Sequence, residues 1–216
     1  MVRICVAGAT GRMGSTLIKE AVSRGFEVVG AVASSNSPNI GRSLREAGIA
    51  DSDIVIVAPS SIPEAVREAD VYITFTTPAA EVENLPVVAN LGKCIVMGTT
   101  GFTEEQLHTI KEAVSCKVPA VFSPNFSLGV NILLKMVRVL KVFPEDYYFS
   151  IVEVHHVGKK DAPSGTAKRI GEVISAMRGY SKTIHGREGI HPRKSGELEI
   201  LSVRVGGVPG IHNIII

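Results

Sequence analysis

The sequence predicts an α/β protein: a doubly wound parallel sheet over residues 1–125, followed over 126–216 by a smaller α+β unit. Three features lead there. Short β-branched runs alternate with helical patterns through the first half. A glycine-rich loop stands where the first run meets the first helix. From about Asn131 the texture changes, and an apolar helix leads to a strand that ends in a cluster of polar residues.

In order, VRICVAG (2–8) is β-branched and ends in glycine, STLIKEAVSRG (15–25) has helical spacing with a glycine stop, and EVVGAVAS (27–34) is a second run. Strand, helix and strand in this order make a βαβ unit, which implies parallel strands and a right-handed crossover. DIVIVA (53–58), VYITFT (71–76), KCIVMGT (93–99) and AVFSP (120–124) supply four more strands. Between them SIPEAVREA, AEVENLPVVANLG and TEEQLHTIKEAVS are helical in pattern, the last opened by Thr103 as an N-cap with Glu104 and Glu105 behind it. In the second unit NILLKMVRVLKVF (131–143) is an apolar helix closed by Pro144, YYFSIVEVHHV (147–157) a strand, and APSGTAKRIGEVISAMRG (162–179) a turn and a helix. GELEILSVRVGGVPGIHNIII (196–216) reads as two antiparallel strands around a Gly-Gly/Pro-Gly corner.

With 45% hydrophobic and 20% charged residues the composition is that of a globular chain, and a net charge of +2 with acids and bases interleaved leaves no footprint for nucleic acid. Cys5, Cys94 and Cys116 are an odd number at distant positions without a C-x-x-C pair. They predict reduced, buried thiols in a soluble cytoplasmic protein. MVRICVAGA is too short for a secretory apolar region, and no run of about 18 apolar residues follows, so no membrane span is expected.

GATGRMG (8–14) follows the first strand and opens the first helix, a spaced variant of the dinucleotide fingerprint. Gly8, Ala9, Thr10, Gly11, Arg12 and Met13 are therefore candidate cofactor contacts, with free N–H groups at the helix N-terminus for the phosphates; the alternative is a merely structural turn, since glycine-rich turns join strands to helices in many proteins. An NAD-specific site usually has an acid after the second strand, where this chain has Ser34 and Ser35. Without a carboxylate a 2′-phosphate is not repelled, and the hydroxyls with Arg12 can bind it. The loop thus points to NADPH, alone or beside NADH; the alternative is that the serines only open a loop. FTTPA (75–79), with Thr76, and GTTG (98–101), with Gly98, Thr99 and Thr100, end later strands at the same sheet edge. That placement suits the nicotinamide ribose, although turn chemistry accounts for either taken singly.

EVHHVGKKDAPSGTA (153–167) concentrates the polar chemistry. Strand residues alternate, so His155 and His156 face opposite ways and Glu153 shares a side with His155. Adjacent histidines on a strand do not easily chelate one metal, and no second ligand cluster is visible in the sequence, so no metal is expected. A histidine exchanges a proton near neutral pH, and a lysine supplies a cation or a second proton. The turn opens a helix, so Ser164, Gly165 and Thr166 can present N–H groups and hydroxyls to an anion. With Lys159 and Lys160 this suits a dicarboxylate or a diphosphate; the plain alternative is a solvated strand end with Asp161 capping a turn.

GATGRMG, FTTP, GTTGFTEEQ, SPNFSLGVN (123–131) and above all EVHHVGKKDAPSGTA resemble the dihydrodipicolinate reductases, also called 4-hydroxy-tetrahydrodipicolinate reductases, over essentially the whole chain. The resemblance implies a Rossmann-type domain, a substrate domain on a mixed sheet, and NAD(P)H-dependent reduction in the diaminopimelate route to lysine. It implies His155 as the acid/base histidine, Lys159 as the proton-donating lysine and His156 as a substrate contact. Gly165 and Thr166 match the turn that holds a substrate carboxylate. Ser123, Pro124, Asn125 and Phe126 match a further segment around the dinucleotide.

Two departures accompany the resemblance. The family usually has an acid, and often a base, where Ser34 and Ser35 stand. It also continues past a strand like VPGIHNIII with a further strand and a helix that return to the first domain. A homotetramer through the second domain is implied as well, with HNIII as a strand suited to burial. Two other readings keep the cofactor loop. A redox sensor has no need of His155, Lys159, Gly165 and Thr166, and an amino-acid dehydrogenase would lack the full HH-x-x-K-x-D-x-P-S-G-T run.

Overall fold

Alternation along the first strand builds the first unit. β1 (Arg3–Ala7) sends Ile4 and Val6 to one side and Cys5 and Ala7 to the other, and all four are buried, so the sheet must be covered on both faces. The computed structural model describes residues 1–216, which divide into the units Met1–Pro124 and Asn125–Ile216.

After β1 come α1 (Arg12–Ser23), β2 (Glu27–Val32), β3 (Ile56–Val57), α2 (Ile62–Ala65), β4 (Val71–Thr74), α3 (Pro78–Asn90), β5 (Cys94–Met97), α4 (Glu104–Val114) and β6 (Ala120–Phe122). The strands stand in the order β3-β2-β1-β4-β5-β6 and every pair is parallel, the doubly wound arrangement. Cys5 and Ala7 pack with Tyr72, Leu85, Val88 and Ile110 on one face; Ile4 and Val6 pack with Ile18, Val28, Leu44 and Ile56 on the other. Helix starts follow local chemistry. Thr77 caps α3 ahead of Pro78, and Thr103 forms a reciprocal capping box with Gln106 at the start of α4.

Three expectations are corrected. DIVIVA contributes only Ile56–Val57, because residues ahead of it turn back on the preceding loop: Leu44 N–H donates to Ile54 O at 2.9 Å and Ile56 N–H to Arg42 O at 2.8 Å. SIPEAVREA shortens to the single α-helical turn of α2. Of the three free thiols only Cys5 is buried, and its burial pushes the thiol up to about 12; Cys94 is half-buried, and Cys116 is exposed just beyond α4.

The second unit contains α5 (Leu128–Val139), β7 (Ser150–His155), α6 (Gly165–Arg178), β8 (Lys182–Ile184), β9 (Glu197–Arg204) and β10 (Ile211–Ile215). Its sheet is mixed, in the order β10-β7-β9-β8, with only the β10–β7 pair antiparallel. Phe149, Ile151, Leu198 and Ile200 pack under Val137 of α5 and Ile170 and Ile174 of α6. The last two strands run antiparallel as expected but are not partners, since β7 lies between them. The Gly-Gly/Pro-Gly corner wraps the end of β7, with Val205 N–H donating to His155 O at 2.9 Å and Val157 N–H to Gly206 O at 3.1 Å. Crossing one strand spans two spacings of about 5 Å each, which this corner reaches and a tight hairpin turn does not. On the face away from the helices Val154 stands between Ile211 and Val203, and Val152 between Asn213 and Leu201. No helix is long and apolar enough to cross a membrane.

Candidate active site

In the first unit the chain leaves β1 for β2 on one side, while β4 flanks β1 on the other. The carboxyl ends of β1 and β4 therefore bound the crevice at which the strand order reverses, where ligands of such sheets bind. Gly8 sits at φ +75°, and a Cβ there would lie 2.4 Å from Phe75 O; a Cβ on Gly14 would lie 2.0 Å from Gly8 O. Only glycine allows this closure. Gly11 caps α1 without a side-chain hydrogen bond, no acid occupies the first turn, and the first intrahelical bond runs from Ser15 N–H to Gly11 O at 2.9 Å. The N–H groups of Arg12, Met13 and Gly14 thus have no acceptor within the helix, and the Arg12 and Met13 side chains are exposed. That donor set fits the diphosphate of a dinucleotide.

The other expected cofactor residues fall into two groups. Ala9 is buried in the core with its N–H on Val32 O at 3.0 Å, Thr10 is half-buried beside it, and Ser34 and Ser35 form an exposed turn after β2 with no carboxylate. Thr76 and Thr99 are drawn inward by Glu81 of α3, a residue hidden within a helical pattern. Glu81 Oε1 accepts the hydroxyls of Thr99 at 2.5 Å and of Thr74 and Thr76 at 2.6 Å each, while Thr99 Oγ1 accepts Thr76 N–H at 2.9 Å. Glu81 is fully buried, and its Oε2 has no partner. The loops after β4 and β5 are thereby joined, with Gly98 half-buried and Thr100 exposed. Ser123 is half-buried and Pro124 exposed after β6.

In the second unit the register assembles the polar cluster. Glu153 lies opposite Ser202 of β9 and His212 of β10, and His155 opposite Arg204. Glu153 is fully buried. Its Oε2 is bonded to His155 Nδ1, and its Oε1 accepts Arg204 Nη2 at 2.8 Å and Ser164 N–H at 3.3 Å. Burial pushes the Glu153 carboxyl up, but the hydrogen bonds from Arg204, Ser202, His155 and Ser164 outweigh it and hold the group down to about 2. An ionised Glu153 keeps the His155 proton on Nδ1 and leaves Nε2 for chemistry. That nitrogen faces the backbone of Gly210, where a Cβ would lie 3.0 Å away.

Lys159 Nζ pairs with Asp161 Oδ1 at 2.7 Å, which holds the Asp161 carboxyl below its usual range, and Asp161 O accepts Arg204 Nη2 at 2.6 Å. A cis Ala162–Pro163 bond then leads to Ser164, the N-cap of α6. Ser164 is buried, with its N–H on Glu153 and its Oγ shared between Ala167 N–H at 3.1 Å and His212 Nε2 at 3.0 Å. Its polar groups therefore serve the cap, and the open N–H groups of this turn are those of exposed Gly165 and half-buried Thr166. Asn125 Nδ2 donates to Thr166 Oγ1 at 3.3 Å, so Asn125 belongs with this turn; Phe126, His156 and Lys160 are exposed.

Arg204 and His212 escaped the sequence because they lie 51 and 59 residues beyond Glu153 and meet it only through strand register; the sole local signal is a polar residue inside an apolar strand. With His212, the fold makes a potential ligand set of Glu153, His155 and His212, whose donor atoms lie within 4.8 Å of one another. The Arg204 cation already neutralises the carboxylate, so this donor set is better matched to moving protons than to holding a cation.

The family description "Dihydrodipicolinate reductase, N-terminus" matches residues 2–126, and its C-terminal counterpart matches residues 129–216. The 4-hydroxy-tetrahydrodipicolinate reductase of Methanopyrus kandleri is 40% identical over 220 residues, covering 99% of this chain and 80% of that protein. That of Rubrobacter xylanophilus is 41% identical over 226 residues, covering 100% and 81%. Among solved structures, the dipicolinate-bound dihydrodipicolinate reductase of Paenisporosarcina sp. TG-14 superposes with a TM-score of 0.71 at 26% identity, covering 99% of this chain and 82% of that one.

Proposed function

The chain belongs to the dihydrodipicolinate reductase family, and from that premise we propose that it reduces 4-hydroxy-tetrahydrodipicolinate to tetrahydrodipicolinate with NAD(P)H, on the diaminopimelate route to lysine. The observation that carries this reading is the buried Glu153–His155 pair beside the open N-terminus of α6. A proton-handling group and an anion cradle are what reduction of a cyclic dicarboxylate needs.

Reduced nicotinamide supplies the hydride. Loss of the 4-hydroxyl as water gives the conjugated C=N ring, and hydride addition to that ring leaves negative charge that one proton must neutralise. His155 holds such a proton at Nε2, and Glu153 at Nδ1 stabilises the imidazolium from which it is given. Lys159, kept in place by Asp161, places a second acidic N–H and a positive charge in the same site. Gly165 and Thr166 bind a substrate carboxylate through their N–H groups, Asn125 orients the Thr166 hydroxyl, Ser164 holds the turn, and His156 contacts the substrate from the loop after β7. In the first unit, the loop from Gly8 to Met13 would hold the diphosphate through the open N–H groups of Arg12, Met13 and Gly14, with Ala9 buried beneath it and its own N–H on Val32 O. Ser34, Ser35 and Arg12 accommodate a 2′-phosphate, so NADPH is favoured. The backbone at Thr76, at Gly98 to Thr100 and at Ser123 to Phe126 meets the nicotinamide end. The exposed Leu201, Val203 and Ile211 support burial of that sheet face in a homotetramer.

Purified protein should oxidise NADPH or NADH only when the product of dihydrodipicolinate synthase is present, and His155→Ala or Lys159→Ala should each lose roughly 100- to 10,000-fold in turnover. Unchanged turnover in either variant removes that residue from the mechanism. A KM preference for NADH over NADPH greater than about tenfold, or about 1.4 kcal/mol, contradicts the reading of the Ser34–Ser35 loop.

A further inference from the structure

β10 brings to the site a residue that the motif does not contain. We infer that His212 is a positioning residue for the substrate: by accepting the Ser164 hydroxyl it fixes the first turn of α6, whose Gly165 and Thr166 N–H groups receive the carboxylate. The inference rests on the function proposed above.

Ser164 Oγ serves two neighbours at once. It accepts Ala167 N–H at 3.1 Å and stands 3.0 Å from His212 Nε2. A hydroxyl that accepts from an amide still has its own proton to give, and in the inferred arrangement His212 Nε2 takes that proton while the imidazole keeps its hydrogen on Nδ1. The surroundings agree. Burial first, then His155 and Lys159, hold His212 below the usual histidine range, and only Glu153 works in the other direction. The His212 ring stands edge-on to His155, with centroids 5.2 Å apart and an interplanar angle of 78°, so it also flanks the imidazole that handles the proton. Strand pairing dictates this position, because His212 lies opposite Glu153, whose carboxylate takes Ser164 N–H. Ser164 is thus held by β7 through its N–H and by β10 through its hydroxyl. Without His212 the hydroxyl can rotate away from Ala167, and the turn loses its fixed direction.

The test compares wild type with His212→Phe, which keeps an aromatic ring and removes the acceptor, and His212→Gln, which keeps an acceptor at similar reach. Affinity for dipicolinate, the molecule bound in the related Paenisporosarcina structure, is measured by calorimetry with NADPH present, alongside KM and kcat. Loss of one neutral hydrogen bond predicts a Kd raised about fivefold to tenfold in the Phe variant. KM should rise in parallel and kcat should change far less, while the Gln variant returns close to wild type. A Phe variant that binds as tightly as wild type, or a Gln variant no better than Phe, overturns the inference. Should the Phe variant not fold, nitrogen NMR of the wild-type imidazoles decides. His212 should be the neutral Nδ1–H tautomer and lose that signature in Ser164→Ala, and an Nε2–H tautomer overturns the inference. A wild-type protein that neither binds dipicolinate nor turns over counts against the proposed function, and the NMR result then still judges His212 separately.

Discussion

Glu153→Gln preserves shape and removes the charge around which the second-unit site is organised. Its carboxylate is fully buried and bonded to Arg204, His155 and Ser164, so an amide there leaves a guanidinium without its anion and puts an N–H group against a donor. Removing one partner of a buried ion pair costs about 3–5 kcal/mol. Arg204 is 20% exposed and keeps Asp161 O at 2.6 Å, which places the expectation near about 3 kcal/mol. Proton linkage leads to a similar figure: a carboxyl lowered from 4.5 to about 2 corresponds, at about 1.4 kcal/mol per unit, to about 3 kcal/mol. Because the folded-state value is the lower one, this stability is fully present above about 4.5, the unfolded value, and is lost as pH falls through about 2. Urea unfolding of both proteins over a pH series should therefore show a gap of about 3 kcal/mol near neutrality that closes in acid. Turnover should fall at least about 100-fold, since the tautomer of His155 is no longer held. Equal stability at neutral pH, or a gap that does not close in acid, would refute the assignment of Glu153 as the ionised centre of the cluster.

Two further outcomes are expected. Glu81→Ala strands the hydroxyls of Thr74, Thr76 and Thr99 and opens a cavity, so unfolding should come about 2–4 kcal/mol earlier; NADPH affinity, read by fluorescence, should weaken with it, and an unchanged affinity would show that the two loops do not need the staple. Gly210→Ala places a methyl group about 3 Å from His155 Nε2, at a backbone φ of +156° that side-chain-bearing residues rarely adopt, and should lower kcat about 10- to 100-fold with a stability loss of about 1–3 kcal/mol. A kcat equal to wild type would mean that this nitrogen does not face the chemistry.

The first unit was readable in sequence because its strands are buried on both faces. VRICVAG and VYITFT are then continuous apolar runs, and glycine at position 8 is demanded by its neighbours rather than by any one ligand. Thr103 was readable as a helix start because a cap acts within three residues, whereas Ser164, read as an anion contact of the turn, proves to be the N-cap of α6. DIVIVA was overread for the complementary reason: an apolar run shows that a segment is buried, but not which neighbour takes its hydrogen bonds, and Ile54 and Ile56 bond to the preceding loop.

The sequence by itself determined the alternating strand and helix plan, the glycine turn, and the local order of groups from Glu153 to Thr166, since each depends on contacts a few residues long. Tertiary structure alone decided the rest. β7 had to be inserted between β9 and β10 before Arg204 and His212 could meet Glu153, and α3 had to pack beside the ends of β4 and β5 before Glu81 could gather three threonines. Those partners are long-range pairings, set by strand register and by burial on a shared face, and no periodicity in a single stretch of chain records them.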